Sequence, residues 1–425
     1  MNSVRAMQVR HRHGVMKRWF GITLSNLLIA AVIGVLLRFA FIAEIPFFEY
    51  KNWLHAHSHL AMLGWVYLAL FVLIVEVFIP PDKGTYKKYR RLFWSTQFVV
   101  WGMLIAFIAR GYWFLSTGFL ILHVLLSYLF ICKVWIDTSS DGKSRLSTKL
   151  LRMSLVFQVI STLALWAVPI LIACSLRGTE LYYMAIQFFL HFQFNGWFLF
   201  CVLALLFRFL EENHIAIPNR ASGIFFIFLV LSCFLTYALA VAWSNPLPIV
   251  FLINGVGVSV QFLALLFFCF LLYMMRKGIH DTFTGTERLF IYAALACLVL
   301  KIFIQTAVVI PDIAKVGYTI RNFVIGFMHL ILLGVITMGV FGYAFRKRLL
   351  SNGCKPGALL VLAGFLAVEL LLFGQGILLW AAMGFMPYYY EAIFGASILI
   401  MLGVAWIVVD KLKSAKDLSA TGGNV

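Results

Sequence analysis

The chain has 425 residues, of which 63% are hydrophobic and only 12% charged, with a mean hydropathy of +0.98. No soluble protein of this length hides so much apolar surface, so the figures exclude a soluble domain and define a polytopic membrane protein. The net charge of +18 sits in short loops between apolar runs, which excludes a nucleic-acid partner and records the cytoplasmic side of a bilayer.

The elements follow in chain order. A basic N-terminus with Arg5, Arg10, Arg12, Lys17 and Arg18 leads into an apolar run from about Trp19 to Ala43. That run is too long for the h-region of a signal peptide and lacks a small-residue cleavage site, so it reads as a helix. Further runs begin near Trp53, Leu92, Tyr112, Lys149, Leu181, Ala221, Leu247, Leu289, Val316, Leu359 and Pro387. The expected fold class is an all-α polytopic membrane protein of about twelve transmembrane helices, forming a single transmembrane domain over 1–425. Loops after even-numbered helices are basic, as in Lys83-Lys87-Lys88-Arg90-Arg91, Lys143-Arg145-Lys149-Arg152, Arg276-Lys277 and Arg346-Lys347-Arg348. Loops after odd-numbered helices carry few basic residues, so both termini are expected to be cytoplasmic. The tail after Lys413 is expected to fray. The seven cysteines are scattered without a Cys-x-x-Cys pair and read as small hydrophobes.

The second run opens with three histidines, His55, His57 and His59, in Lys51-Asn-Trp-Leu-His-Ala-His-Ser-His-Leu. An ionisable residue at membrane depth is costly and marks a functional site by default. The phrase His59-Leu-Ala-Met-Leu-Gly-Trp recurs as His191-Phe-Gln-Phe-Asn-Gly-Trp and His329-Leu-Ile-Leu-Leu-Gly-Val. The shared pattern is a histidine, four residues, a glycine, then a bulky side chain. The spacings, 191 − 59 = 132 and 329 − 191 = 138, nearly agree. Each fits one block of four helices, roughly 19–136, 149–276 and 287–410, with the motif in the outer half of its second helix. The glycine would let a flat ring or a neighbouring helix approach the backbone.

Neutral imidazole is the usual protein ligand for haem iron and for copper. His55 and His59 share a helix face, while His57 lies about 200° away at about 100° per residue. If the helix proper begins near His57, His55 lies in an interfacial turn. Core histidines bonded to a carbonyl or hydroxyl are the plain alternative throughout, and for His191 the nearby Gln187, Gln193 and Asn195 would supply a polar network. His123 has no motif around it and reads as a core or lipid-facing residue. His11, His13, His214 and His280 read as solvated.

Together the three phrases and the twelve-helix plan resemble subunit I of the heme-copper oxidase superfamily. In architecture the resemblance covers the whole chain. It implies both ends in the cytoplasm, a pseudo-threefold set of four-helix blocks, and a low-spin haem clasped by histidines of helices two and ten. Carried over by position, His59 (or His57) and His329 would hold that haem, b-type by preference, and His191 would match the helix-six copper ligand. This chain departs from the pattern at three places. Phe327 stands two residues before His329, where the family has a second histidine; Ala221 to Trp243 contains no histidine; and Asn195 follows His191 by four, where relatives have tyrosine or glutamate. The low-spin haem site is thus expected to be kept and the binuclear site lost or rebuilt. A rebuilt copper site would draw on His191 with His55 or His57. The phrase His-Ala-His followed by Met and Gly also resembles haem- and copper-containing membrane proteins associated with nitric oxide response.

Haem propionates need cations near the outer surface, and Lys51, Arg110, Arg177, Lys315 and Arg321 are there, each also suited to anchoring a helix end. Arg321, about two turns before His329, is the first choice. Trp65 and Trp197 are candidates to pack on a macrocycle. Arg38 lies deeper, within helix one. Lys301 and Glu369 fall mid-helix and would form a buried pair or join a proton path with Gln305 and Gln375. The expected role is respiratory or nitrogen-oxide-related electron transfer in a bacterial inner membrane, with quinol or cytochrome c as donor and with partner subunits. With the usual active-site ligands missing, an oxygen- or nitric-oxide-reductase activity stays open. The rivals are a non-enzymatic haem or copper sensor or metal-handling protein, and a proton-coupled transporter, which usually shows twofold rather than threefold repeats.

Overall fold

The computed structural model of the chain describes residues 2–80, 83–139 and 145–421, apart from the side chains of 2–10, 83–85 and 414–421. Lys143 of the basic loops and the end of the tail, 422–425, lie outside them. Among the described residues there are helices and no strands, and twelve helices are long and apolar enough to cross a bilayer. They are α1 (His11–Phe39), α2 (Tyr50–Phe78), α3 (Tyr86–Arg110), α4 (Phe114–Asp137), α5 (Leu146–Ala173), α6 (Glu180–Glu212), α7 (Asn219–Ala242), α8 (Pro248–Met274), α9 (Thr286–Ala307), α10 (Arg321–Arg346), α11 (Asn352–Trp380) and α12 (Tyr389–Lys413).

Several helices start earlier than their apolar runs, because hydropathy marks only the stretch at hydrocarbon depth and the polar first turn continues into the loop. The tenth starts later. The run from Val316 is interrupted: Pro311–Thr319 is a separate short helix, Ile320 is extended at ψ 106°, and α10 begins at Arg321.

The chain packs as two compact units. One comprises Met1–Asp137, Leu289–Ile291 and Val340–Val425; the other comprises Thr138–Arg288 and Tyr292–Gly339. In the first unit, α12 lies along α11 and α1, and α2 lies against α1 and α3. The α11–α12 contact is a close approach of backbones. A Cβ built on Gly403 would fall 2.5 Å from the Gly357 carbonyl oxygen, and one on Gly364 would fall 2.8 Å from the Ile400 amide. Small residues at such crossings substitute dispersion contact for the hydrophobic drive that lipid removes. In the second unit, α5 runs along α6 and α7 along α8.

α2 and α6 are the most buried spans, with 89% and 78% of their apolar windows covered. Each is interrupted by a π-helical segment, as is α10. The segments are Leu60–Val66, Phe192–Phe198 and Leu330–Thr337, and the residue heading each is His59, His191 or His329. Where the helix returns to α pitch, the amides of Tyr67, Leu199 and Met338 donate to Met62, Phe194 and Leu333, each five residues back. Such π turns are uncommon and concentrate at functional sites. The sequence repeat is therefore a repeat of backbone geometry.

Candidate functional site

Within the first unit α2 begins at Tyr50, so His55 stands inside a regular helix and not in an interfacial turn. The helical phase then puts His55 and His59 on one face, ring centroids 6.4 Å apart, and turns His57 the other way. His59 Nδ1 lies 2.8 Å from the His55 carbonyl oxygen. A carbonyl only accepts, so Nδ1 carries the proton and Nε2 keeps its lone pair. That is the usual form of a metal-ligating histidine, whose other ring nitrogen is held by a carbonyl or carboxylate. Nε2 lies 3.2 Å from the Tyr112 hydroxyl, which donates to it, and the imidazole stacks on Phe107 at 4.4 Å. Tyr112 also meets His55 edge-on at 4.6 Å, and it is 57% exposed at the start of the α3–α4 turn. His57 has the same tautomer for a different reason: its Nδ1 donates to Ala30 O of α1 at 2.8 Å, and its ring rests against Gly34.

The π segment that follows His59 is held by its neighbours. Its widened ladder leaves carbonyls open to outside donors, and buried Asn26 of α1 donates through Nδ2 to Gly64 O at 2.8 Å. Asn26 also exchanges hydrogen bonds with Gln97 of α3, at 2.9 and 3.1 Å. Gly64 is where a side chain would not fit, since a Cβ would come within 2.9 Å of Val100 of α3. Neither Asn26 nor Gln97 carried a motif. Their signal is only that two amides sit in otherwise apolar runs. Trp65 packs edge-on to Phe20 and Phe341, inside the protein core. His123 is buried rather than lipid-facing, edge-on to Tyr67 at 4.7 Å. His13 pairs with Glu76 at 2.8 Å, a partner that its place in a basic N-terminus did not reveal.

In the second unit the corresponding histidine has the opposite form. His191 is buried, and its Nε2 lies 2.7 Å from the carbonyl oxygen of Cys233 in α7. Nε2 therefore carries the proton, and the lone pair on Nδ1 faces the Asn195 amide nitrogen at 3.4 Å. Both ring nitrogens are engaged, as in the polar-network reading. Gln193 is engaged too, accepting from Ser161 at 2.9 Å. The π segment after His191 admits α5: a Cβ on Gly196 would lie 2.6 Å from the Phe157 ring. The flat ring at this glycine is thus a phenylalanine. Trp197 is fully buried. The π segments of α6 and α10 touch, and in the latter Thr337 donates from its hydroxyl to Leu332 O at 2.8 Å. His329 is half-buried at the head of its segment, and Arg321, at the first turn of α10, is exposed.

His191 spends its Nε2–H on the Cys233 carbonyl, which leaves Nδ1, beside the Asn195 amide nitrogen, as the ring nitrogen with a lone pair. Among the described residues no three His, Cys, Asp or Glu side chains come together as a metal site. A haem does fit His59, whose Nε2 lone pair meets the hydroxyl of an exposed tyrosine.

Lys301 is 1% exposed and Glu369 7%, and among the described residues neither Lys301 Nζ nor either carboxylate oxygen has a hydrogen-bond partner. The expected pair rested on cost alone, which says that each needs compensation but not from whom. Gln375 clamps a loop, donating to Gly384 O at 3.1 Å and accepting from the Met386 amide at 2.8 Å.

A twelve-span helical membrane protein whose second, sixth and tenth spans each carry a histidine-headed π turn is the class that fold and site define. Its fold is similar to that of a chain in a heme-copper terminal oxidase dimer solved by cryo-electron microscopy. The TM-score is 0.65 over 93% of this chain and 84% of that one, at 12% sequence identity. No family model matches the sequence, and no curated protein matches it.

Proposed function

We propose that the chain is a haem protein of the membrane that takes part in respiratory or nitrogen-oxide-related electron transfer. One b-type haem is held between His59 and His329, with Arg321 pairing a propionate. The fold shared with a terminal oxidase supports the class. The observation that carries the site is the tautomer of His59: its Nδ1–H is fixed on a carbonyl and its Nε2 lone pair is directed at the hydroxyl of an exposed tyrosine. The pairing with His329 comes from the repeat and its recurring π turn. A haem bound there would supply one-electron redox chemistry. The protein's own work is to ligate, to bury and to exclude water, with Phe107 stacked behind the His59 ring. Of the three motif histidines, His59 and His329 serve the haem. Both termini lie on the cytoplasmic side of a bacterial inner membrane, a reading that the basic loops support. The electron donor is quinol or cytochrome c, and partner subunits complete the path.

The absorption spectrum of protein purified from a haem-replete host tests this. A low-spin b-type spectrum is expected, abolished by His59→Ala and by His329→Ala and retained in His57→Ala. A folded but colourless protein ends the reading. A retained spectrum in His59→Ala with loss in His57→Ala moves the ligand two residues back.

A further inference from the structure

We infer that the basic first turns of α3, with the aromatic stripe that continues from them, form a docking site for one anionic phospholipid. At about 100° per residue, Arg91, Trp94, Phe98, Trp101 and Ile105 fall within about 40° either side of Lys87 on the helix surface, with Arg90 and Lys88 flanking the stripe. All eight side chains are exposed, Phe98 to 67% and Trp101 to 43%. The opposite face is fastened. Trp19 of α1 stacks on Phe93 at 4.6 Å and on Tyr86 at 5.6 Å, and the Tyr89 hydroxyl donates to Asp137 of α4 at 2.9 Å. The four cations are therefore carried on turns held against two neighbouring helices, and not on a loose loop.

Their charge is unanswered: among the described residues Lys87, Lys88, Arg90 and Arg91 make no ion pair and no hydrogen bond. The described carboxylates at this end of the first unit are already engaged, Glu76 by Arg12 and His13, Asp137 by Lys133 and Tyr89, and Asp410 by Ser351. Even with Asp82 counted, the sequence from 82 to 91 holds five positive charges against one. Basic side chains at a bilayer surface draw anionic lipid. The depth of the aromatic rings separates a seated lipid from that diffuse attraction. Tryptophan anchors belong at headgroup level. Trp101 is 101 − 91 = 10 residues past Arg91, about 15 Å along the axis, or about halfway across a hydrocarbon core of about 30 Å. The stripe thus offers an acyl chain broad apolar rings from the headgroup inward, in line with the cations that would hold its phosphate. It is one side chain wide, which suits a chain of methylenes better than the breadth of a second helix, about 10 Å. The inference does not depend on a haem at His59.

The full-length protein in mild detergent is titrated with dioleoylphosphatidylglycerol or dioleoylphosphatidylcholine, and lipid adducts are counted by native mass spectrometry. One phosphatidylglycerol is expected to bind about tenfold or more tightly than phosphatidylcholine with the same chains. Lys87→Gln combined with Arg91→Gln is expected to bring phosphatidylglycerol down to about the phosphatidylcholine level. Both side chains are exposed and unbonded, so the fold persists in that variant. Trp101→Ala is expected to weaken phosphatidylglycerol binding about fivefold or more through lost acyl contact. Arg276→Gln combined with Lys277→Gln removes the same charge from the loop after α8 and is expected to leave binding unchanged. In cell membranes, photolysis of the Phe98→p-benzoylphenylalanine variant is expected to crosslink phospholipid. Equal affinity of the parent for the two lipids overturns the inference, as does parent-like binding by the Lys87–Arg91 variant or by Trp101→Ala. Equal loss in the Arg276–Lys277 variant reduces the site to diffuse surface charge and overturns it too. A crosslink from position 98 to another polypeptide alone makes the stripe a subunit contact, and the lipid reading falls.

Discussion

Replacing Asn26 by leucine tests whether the first π turn is held from outside its own helix. The side chain makes three hydrogen bonds in a dry interior: to Gly64 O at 2.8 Å, to Gln97 Oε1 at 2.9 Å, and from Gln97 Nε2 at 3.1 Å. Leucine nearly conserves the volume, so the cavity contribution is small and the loss is polar. Hydrogen bonds between membrane helices contribute about 0.6 kcal/mol on average and up to about 1.7, so three sum to about 2–5 kcal/mol. Gln97→Leu removes two of the three and is expected to cost about two-thirds as much. The double variant should cost less than the sum by roughly 1 kcal/mol or more, since the two shared bonds would otherwise be counted twice. Equilibrium unfolding in mixed detergent–dodecyl sulfate micelles measures all four corners of the cycle. A loss below about 0.5 kcal/mol for Asn26→Leu, or strict additivity in the double variant, would refute the argument that this amide bridge secures the turn beneath His59.

Two other outcomes follow from the same geometry. Gly196→Ala puts a methyl 2.6 Å from the Phe157 ring and is expected to destabilise by about 1–3 kcal/mol, with Phe157→Leu in the same chain restoring part of it; the same unfolding assay reads both. Tyr112→Phe removes the hydroxyl that covers His59 Nε2 but keeps the ring against His55, so stability should change by less than about 1 kcal/mol. Haem uptake by the apo form of this variant, followed by absorbance, should be faster than that of the parent.

The spans were legible because each apolar run is long and is closed by charged loops, which are properties of composition. The motif histidines were legible because three phrases share a spacing. That the spacing of five residues is also the hydrogen-bond step of a π turn could be seen only with the backbone in hand. The state of each imidazole was not legible, since His59 and His191 differ through carbonyls at His55 and Cys233, and a carbonyl belongs to every residue alike. The polar props of the π turns come from Asn26 and Ser161, one or more helices away in sequence, and pairing across helices leaves no periodic trace. Lys301 and Glu369 were rightly read as expensive, but expense does not name a partner. The extended residue at Ile320 was hidden because one residue's departure from helical ψ leaves no mark on composition or hydropathy.

A π turn amounts to one residue inserted into an α-helix. Each insertion advances the chain beyond it by about 100° and about 1.5 Å. The outer third of α2, α6 and α10 is therefore rotated relative to where an unbroken helix would carry it, and the histidine at the junction shares that rotation. A single deletion within Leu60–Val66 would restore α phase and swing His55 and His59 together toward the face that His57 now holds, without altering any of the three side chains. Which residues such a helix presents on a given face is set by a count of residues as much as by their kinds.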